Sequence, residues 1–286
     1  MSDNRRGAAL MTASMTAFTI NDAFVKLLGD DLPFFQFLLL RTIGASFLIF
    51  ILAYRSNALV WPKSSRDRRL IAMRSLAEMA AAYFFLTALI HMPIANVTAI
   101  LQVLPLTVAL GAALFLGEHV GWRRFAAIGI GFVGVYLIVR PGADGFSIYA
   151  LYALLAVLAV TVRDLAARRL SPEVPSLTVS LAAVLTILAF SIVGAVNTEW
   201  QPMVPVDWLW LAGSIVTILG GYLFSVSAMR VGEIGFVAPF RYTSLLVALV
   251  LGFLVFGDWP DQLTLIGAAI VVATGLFTLW RERRSG

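Results

Sequence analysis

The sequence predicts an all-α membrane protein of ten transmembrane helices. Apolar stretches of spanning length follow one another along the 286 residues, with short polar segments between them. Hydrophobic residues make up 60% of the chain, charged residues make up 13%, and the mean hydropathy is +0.90. A soluble domain carries about 25% charged residues. The connecting segments are too short to hold a soluble domain, so we expect any function to lie among the helices.

Each apolar stretch has roughly the 20 residues that a helix needs to cross the hydrocarbon core of a bilayer. Inside a bilayer every backbone amide must find its partner within the segment, so these stretches must be helical. The first stretch is not followed by a cleavage site and a soluble domain, which favours a retained helix over a removed signal peptide. In chain order, spans 1 to 10 cover residues 7–28, 33–54, 70–90, 94–116, 122–139, 147–169, 174–196, 207–229, 234–256 and 261–280.

Basic residues are concentrated in alternate connecting segments, and this pattern predicts the orientation in the membrane. The segment 55–69 alone carries five of them, whereas the opposite set of loops holds little more than Arg140 among several acidic residues. Excess Lys and Arg mark the cytoplasmic side. We therefore expect both termini to be cytoplasmic, as an even number of spans requires. The net charge of +5 then reflects topology and lipid contact, and no nucleic-acid partner is expected.

The composition also restricts the chemistry. The chain has no cysteine, which excludes disulfides, thiolate metal sites and cysteine nucleophiles. Its two histidines, His91 and His119, are too few and too far apart for a histidine-based metal cluster. Neither a P-loop nor the motif of a serine hydrolase or zinc peptidase occurs. We expect no catalytic residues, no metal and no cofactor.

A literal GxGxxG motif at Gly129, Gly131 and Gly134 lies within span 5. A dinucleotide-binding loop needs a preceding strand and a helix that begins at the loop, and an apolar span offers neither. Small residues let membrane helices pack closely, and Gly267 and Gly275 occupy the corresponding span 10. The motif therefore predicts helix packing.

The two halves of the chain resemble each other. Leu-Gly-Glu at 116–118 matches Phe-Gly-Asp at 256–258, each between two apolar spans. Tyr83-Phe84-Phe85 matches Tyr222-Leu223-Phe224, and Asn21-Asp22 with Lys26 matches Arg163-Asp164 with Arg168. Five spans per repeat is an odd number, so the second copy enters the membrane from the opposite side. Inverted repeats of this kind are typical of secondary transporters, whose substrate site lies where the repeats meet.

With this arrangement and its duplicated LGE/FGD turn, the chain resembles the drug/metabolite transporter superfamily, specifically ten-helix proteins with two EamA-type repeats. The resemblance covers essentially the whole chain, with repeats expected at 1–140 and 141–286; Asp258 departs from the usual Glu but keeps the carboxylate. It implies a carrier for small organic metabolites in the cytoplasmic (inner) membrane, acting without ATP hydrolysis or a cofactor. The Gly117-Glu118 turn itself is interpreted as structural, because Gly can end a helix and Glu suits the start of the next.

Charged residues within spans are candidate site residues, because a central Arg, Lys or Asp costs about 2.5–3.5 kcal/mol on insertion scales. Three opposite-charge pairs share a helix face at a spacing of four residues. Each pair either neutralises itself, with long cationic chains reaching the interface, or contributes to transport. The pairs are Asp22 with Lys26, Arg74 with Glu78, and Asp164 with Arg168.

Arg41 in span 2 and Arg241 in span 9 have no acidic residue within one turn of their own helix. Each therefore needs a partner from another helix, a water-filled cavity or an anionic substrate. We expect both to face the interior of the bundle. The alternative role is an interhelical ion pair with Glu78, Asp22 or Asp164.

Uncharged polar and aromatic residues form a second group of candidates. Pockets for small organic molecules combine apolar walls with a few polar groups, although the same residues also make ordinary interhelical hydrogen bonds. Pro105 and Pro239 lie within spans 4 and 9, where each removes an amide donor and can break the helix. The candidates retained with the charged residues as substrate-binding are Tyr83, Asn96, Gln102, Tyr222 and Tyr242.

The sequence thus predicts a secondary transporter that works by alternating access, as a monomer or homodimer in contact with membrane lipid. Resemblance to carriers of vitamins makes riboflavin the first expected substrate. S-adenosylmethionine uptake and the export of amino acids or metallophores are the alternatives. An intramembrane enzyme or a lipid-handling protein is the alternative from another class.

Overall fold

A computed structural model of the chain describes residues 2–117, 121–141, 147–231 and 234–285, and this part is helical, without strands. The helices are α1 Ser2–Asp31, α2 Phe34–Arg55, α3 Ser65–His91, α4 Ile94–Leu101, α5 Leu104–Phe115, α6 Trp122–Val139, α7 Ile148–Arg168, α8 Ser176–Ala195, α9 Pro205–Val231, α10 Ile234–Val237, α11 Thr243–Phe256 and α12 Gln262–Ser285. A 3₁₀ turn, Ala238–Tyr242, joins α10 to α11.

These helices form the ten predicted spans, because α4 with α5 makes span 4, and α10 with the 3₁₀ turn and α11 makes span 9. Within the described residues, nine segments are long and apolar enough to cross a membrane. The tenth, α1, has 30 residues but is not among those nine. It carries Asn21, Asp22 and Lys26 in its second half, and these side chains lower its mean hydropathy.

Spans 4 and 9 are both broken, at corresponding places. In span 4, α4 ends at Leu101, and a turn at Gln102 and Val103 precedes α5 with Pro105 in its first turn. In span 9, the break is the 3₁₀ turn that contains Pro239. Proline lacks the amide hydrogen that would continue the helical ladder, which explains the position of both breaks. The predicted effect of the two prolines is confirmed.

The packing of the helices has the symmetry of two repeats. Helix α1 packs chiefly on α9, and α7, the counterpart of α1, packs on α3, the counterpart of α9. Three further pairs join equivalent helices: α2 with α8, α4 with α11, and α6 with α12. Exchanging the two halves leaves these pairs unchanged, as a pseudo-twofold axis requires, although α3 contacts α8 more extensively than α9 contacts α2.

The glycine motif in span 5 serves the contact of α6 with α12. A Cβ atom at Gly134 would lie 2.8 Å from the carbonyl oxygen of Gly267, and one at Gly267 would lie 2.5 Å from that of Gly134. The two backbones touch, so the interpretation of this motif as helix packing is confirmed. The turns that follow α5 and α11 also match, because Gly117 and Gly257 both have left-handed backbone, with φ of +71° and +68°. Glu118, His119 and Asp144 lie outside the described residues.

Candidate functional site

Charged side chains from both repeats meet between α3 and α7. The guanidinium of Arg163 lies 3.2 Å from a carboxylate oxygen of Glu78 and donates a 2.8 Å hydrogen bond from Nε to Asp164. Arg74 reaches the other oxygen of Glu78 at 3.7 Å, so this predicted pair is confirmed. All four side chains are partly buried. One arginine thus joins carboxylates of the two repeats, which sequence spacing within a single helix does not show.

A second polar group lies between α1 and α2. Arg41 donates from Nη2 to the Asn21 side-chain oxygen at 3.1 Å, and Asn21 donates to a carboxylate oxygen of Asp22 at 3.0 Å. Asn21 is 3% exposed, so it connects the two charged residues inside the bundle. The buried Nε atom of Arg41 has no hydrogen-bond partner among the described residues. Arg41 therefore faces the interior, as predicted, and its charge interacts with Asp22 of the neighbouring helix.

Tyr222 on α9 connects these two groups. Its hydroxyl interacts electrostatically with Glu78, Arg163 and Arg41, and its ring packs edge-on against Phe18 with a centroid distance of 5.3 Å. Half of its surface, 51%, is nevertheless accessible. A side chain that is surrounded by charges from other helices and is still accessible lines a space between those helices. Its repeat counterpart Tyr83 is less accessible.

Arg241 lies in the 3₁₀ turn of span 9, where it is exposed. Its charge interacts with Asp164 and with the like-charged Arg163, which places it near the α3–α7 group. Among the described residues no carboxylate lies within ion-pair distance of Arg241. The two predicted lone arginines thus have different carboxylate neighbours, Asp22 for Arg41 and Asp164 for Arg241, and Tyr222 links Arg41 to the α3–α7 group.

The two broken spans are joined by a hydrogen bond. Gln102, at the break in span 4, donates from Nε2 to the hydroxyl of Ser244 at 2.8 Å, just after the break in span 9. Ser244 in turn donates to the backbone carbonyl of Arg241 at 3.0 Å. The two breaks therefore meet where the repeats meet, and Gln102 holds the turn that carries Arg241.

The other polar candidates have different surroundings. Tyr83 belongs to an aromatic cluster with Phe34, Phe84, Tyr152 and Phe190, with centroid distances of 5.4–6.3 Å. Among the described residues, the buried side-chain oxygen of Asn96 and the hydroxyl of the buried Tyr242 have no hydrogen-bond partner. The Tyr242 hydroxyl lies directly against Gly275 of α12, where a Cβ atom would collide with it. Of these three candidates, Tyr242 interacts electrostatically with Arg241.

Two cavities lie on either side of the 3₁₀ turn, and Phe240 lines both. One of about 620 Å³ runs along α1 past Thr12 and Thr16, and one of about 490 Å³ lies between the turn, α4 and α12. Both volumes are in the range of sites for small organic molecules. Their walls are mostly apolar, and the charged groups lie outside their linings.

The predicted pairing of Lys26 with Asp22 is wrong. Lys26 is 7% exposed, and its Nζ donates to the backbone carbonyls of Leu89, Ile90 and Met92 at 3.1, 3.2 and 2.8 Å. These carbonyls end α3, where the unpaired oxygens and the helix dipole attract a cation. Phe256 on α11 lies under the ammonium at 5.4 Å. Lys26 therefore bonds α1 to the end of α3.

The other predicted pair on the second repeat is Asp164 with Arg168. The carboxylate of Asp164 accepts a hydrogen bond from its neighbour Arg163, while Arg168 is the exposed last residue of α7.

Matching contacts tie α2 to the second repeat at both of its ends. Near its start, Gln36 exchanges two 2.8 Å hydrogen bonds with the backbone of Gln201, before α9. Thr178 occupies the same third position in α8 as Gln36 does in α2, and it donates to the carbonyl of Ala58, after α2. The α2–α8 pair is therefore closed at both ends, and sequence reasoning did not find these ties.

Comparisons with known proteins follow the same repeat division. The EamA-like transporter family matches residues 5–140 and 147–280. An S-adenosylmethionine uptake transporter of Rickettsia bellii is 25% identical over 98% of this chain and 95% of its own. A riboflavin transporter of Vibrio cholerae is 31% identical over 68% of this chain and 65% of its own. A pseudopaline exporter of Pseudomonas aeruginosa is 26% identical over 94% of both chains. A crystal structure with 19% identity has the same fold, with a TM-score of 0.63 over 96% of this chain and 99% of the other.

Proposed function

This chain belongs to the EamA-like transporter family, and from that premise we propose that it carries a small organic metabolite by alternating access, as a secondary transporter. Its helices and its bacterial relatives make it a multi-pass protein of the inner membrane. The observation that carries the proposal is the convergence of Glu78, Arg163, Asp164, Tyr222 and Arg241 where the repeats meet. Charged residues within spans mark substrate pathways in membrane proteins.

The broken spans support the same proposal. In transporters with inverted repeats, the substrate site lies at the repeat interface beside discontinuous helices. Here the two breaks are bonded to each other through Gln102 and Ser244, and Arg241 lies in one of them. The break in span 9 thus carries a cation that interacts with Asp164 of the α3–α7 group.

Differences between the repeats support a proposal about which end of the transporter is open in this conformation. At the Lys26 end of α1, the ammonium bonds α1 to α3. The equivalent helices α7 and α9 make no comparably extensive contact within the described ranges, and Tyr222 of α9 is accessible. We propose that this conformation is closed at the Lys26 end and open at the other. The distribution of basic residues makes the open end cytoplasmic, with both chain termini on the same side.

Two substrates are supported by specific observations. S-adenosylmethionine is the first, because relatives named for its uptake match nearly the whole chain, and the site contains charges of both signs. Riboflavin is the second, because the relative named for it has the higher identity, 31%, over two thirds of the chain. An exporter among the relatives leaves either direction of transport open to test.

Uptake into proteoliposomes tests the proposal. Purified protein should accelerate entry of labelled S-adenosylmethionine or riboflavin over empty vesicles, and the label should be recovered chemically unchanged. Arg163→Gln should reduce the rate by about tenfold or more, because it leaves Asp164 without its bonded cation and Glu78 with Arg74 alone. Arg123→Gln removes an exposed arginine that lies over Trp122 and should transport at the original rate. Chemically altered label would favour an enzyme, and equal rates in both variants would contradict the assigned site.

A further inference from the structure

Among the described residues, the charged groups at the repeat interface carry an excess of one positive charge. Four arginines, Arg41, Arg74, Arg163 and Arg241, face three carboxylates, Asp22, Glu78 and Asp164. An unpaired charge inside a membrane protein is costly, and its partner is commonly a substrate or counter-ion. The excess cation can be located from the contacts of each arginine.

Arg241 is that cation. Arg74 and Arg163 share Glu78, Arg163 also holds Asp164, and Arg41 donates to Asn21 beside Asp22. Within the described residues, Arg241 has the longer-range attraction of Asp164, opposed by Arg163, and a weaker attraction to Tyr242. It is exposed, and Ser244 and Gln102 fix the turn that carries it. A fixed and accessible guanidinium is suited to bind a carboxylate with two parallel hydrogen bonds.

We propose that the substrate carries a carboxylate, which binds Arg241 at the repeat interface. This inference rests on the proposed transport function and adds the substrate class. The carboxylate exchanges its hydration for a fixed, oppositely charged partner, and the excess positive charge of the described site is neutralised. S-adenosylmethionine has a carboxylate. Riboflavin has none.

The test crosses one substrate change with one residue change. Wild-type protein in proteoliposomes should transport S-adenosylmethionine at least about tenfold faster than decarboxylated S-adenosylmethionine, since a site built to bond a polar group discriminates against a molecule that lacks it. Arg241→Gln should remove most of this preference, lowering S-adenosylmethionine transport and changing that of the decarboxylated compound by less than about twofold. Arg241→Lys should recover part of the preference, and Arg123→Gln should retain all of it.

Other results overturn the inference while leaving transport intact. Equal losses for both compounds in Arg241→Gln would make Arg241 a structural residue. Riboflavin transport that is faster than that of S-adenosylmethionine and insensitive to Arg241→Gln would show that no carboxylate is required. If none of the three labelled compounds crosses the vesicle membrane, the transport proposal fails for them. The role of Arg241 in binding a carboxylate is then tested by ligand binding to the purified protein. A larger rise in Tm of the purified protein with S-adenosylmethionine than with its decarboxylated form supports it, and equal or absent shifts contradict it.

Discussion

At the scale of single residues, the intramembrane cations have three different kinds of partner. Arg163 binds carboxylates of two helices, Lys26 binds three backbone carbonyls, and Arg241 has no ion-pair partner among the described residues. The guanidinium and the ammonium suit these roles, because arginine offers a planar fork to carboxylates and lysine a compact point charge to a helix end. One bundle thus contains a cation with a structural role, Lys26, and cations that we assign to the substrate site, Arg163 and Arg241.

Replacing Lys26 tests its structural role. Lys26→Met keeps most of the apolar volume but leaves the last carbonyls of α3 without their donor. We expect a loss of about 2–4 kcal/mol in the free energy of unfolding, since hydrogen bonds to charged groups contribute about 1.5–3 kcal/mol each and do not add fully. A single cysteine placed at Met92, which is 6% exposed, should also react several-fold faster with a maleimide in the Lys26→Met background. An unchanged reaction rate would show that Lys26 does not close this end.

Asp261 gives a pH-dependent contribution just before α12, which begins at Gln262 and is the observed tenth span. Burial raises the pKa of Asp261, but hydrogen bonds from Thr264 and Arg140 and the charge of Arg140 together outweigh it, so the pKa lies below its ordinary value of 3.8. A lowered folded-state pKa means that the stabilisation is complete above the ordinary value and is lost as the pH falls through the folded value. Asp261→Asn should keep the cap of α12 and lose the charge. Its Tm should lie slightly below wild type at pH 7, and the difference should vanish in acid; a constant difference would contradict this origin.

At the scale of elements, the contact of α6 with α12 depends on the absence of side chains. Gly267→Ala places a Cβ 2.5 Å from a backbone oxygen that cannot move aside, whereas Gly129 on the same motif has nothing within 4 Å. We expect Gly267→Ala to cost about 1–3 kcal/mol, as overpacking does, and Gly129→Ala to be neutral or slightly stabilising. Thermal unfolding in detergent compares the two. Similar Tm values would show that the helices separate without loss.

The sequence was sufficient to predict the helices and their breaks. It was insufficient to predict contacts between side chains that are far apart in the chain. Apolar length predicted the spans, and Pro105 and Pro239 predicted the breaks, because both signals are local. Lys26 was assigned to the nearby Asp22, while its partners lie 63 to 66 residues away. Arg163 was noted beside Asp164 but not ranked as a candidate, since its bond to Glu78 spans 85 residues. Spacing along one helix shows which side chains share a face and does not show which helix that face meets.

At the scale of the whole molecule, two repeats with exchange-symmetric contacts differ at their ends, which is the property that alternating access requires. Hydrogen bonds join α2 and α8 to neighbouring segments at both ends of the pair. Helices α1 and α3 are bonded at one end, where Lys26 donates to the last carbonyls of α3. We therefore expect α2 and α8 to move least.

We expect facilitated diffusion or exchange rather than proton coupling. Glu78 and Asp164 are already paired with arginines, so proton binding would have to break an ion pair, which leaves Asp22 as the free carboxylate. A pH gradient imposed on proteoliposomes without a substrate gradient should therefore produce no accumulation. Concentrative uptake that is abolished by a protonophore and absent in Asp22→Asn would instead establish proton coupling.

The central claim is that the charges joining the two repeats serve transport and are not only structural. The direct measurement compares Glu78→Gln and Arg163→Gln with the double variant, by Tm and by uptake rate. Each single change removes one partner of an ion pair and should lower both stability and transport, because a buried charge is left uncompensated. The double variant removes the pair, so we predict a partial recovery of Tm with transport still reduced about tenfold or more. Recovery of the wild-type uptake rate together with Tm would contradict the claim and make the pair a structural bridge.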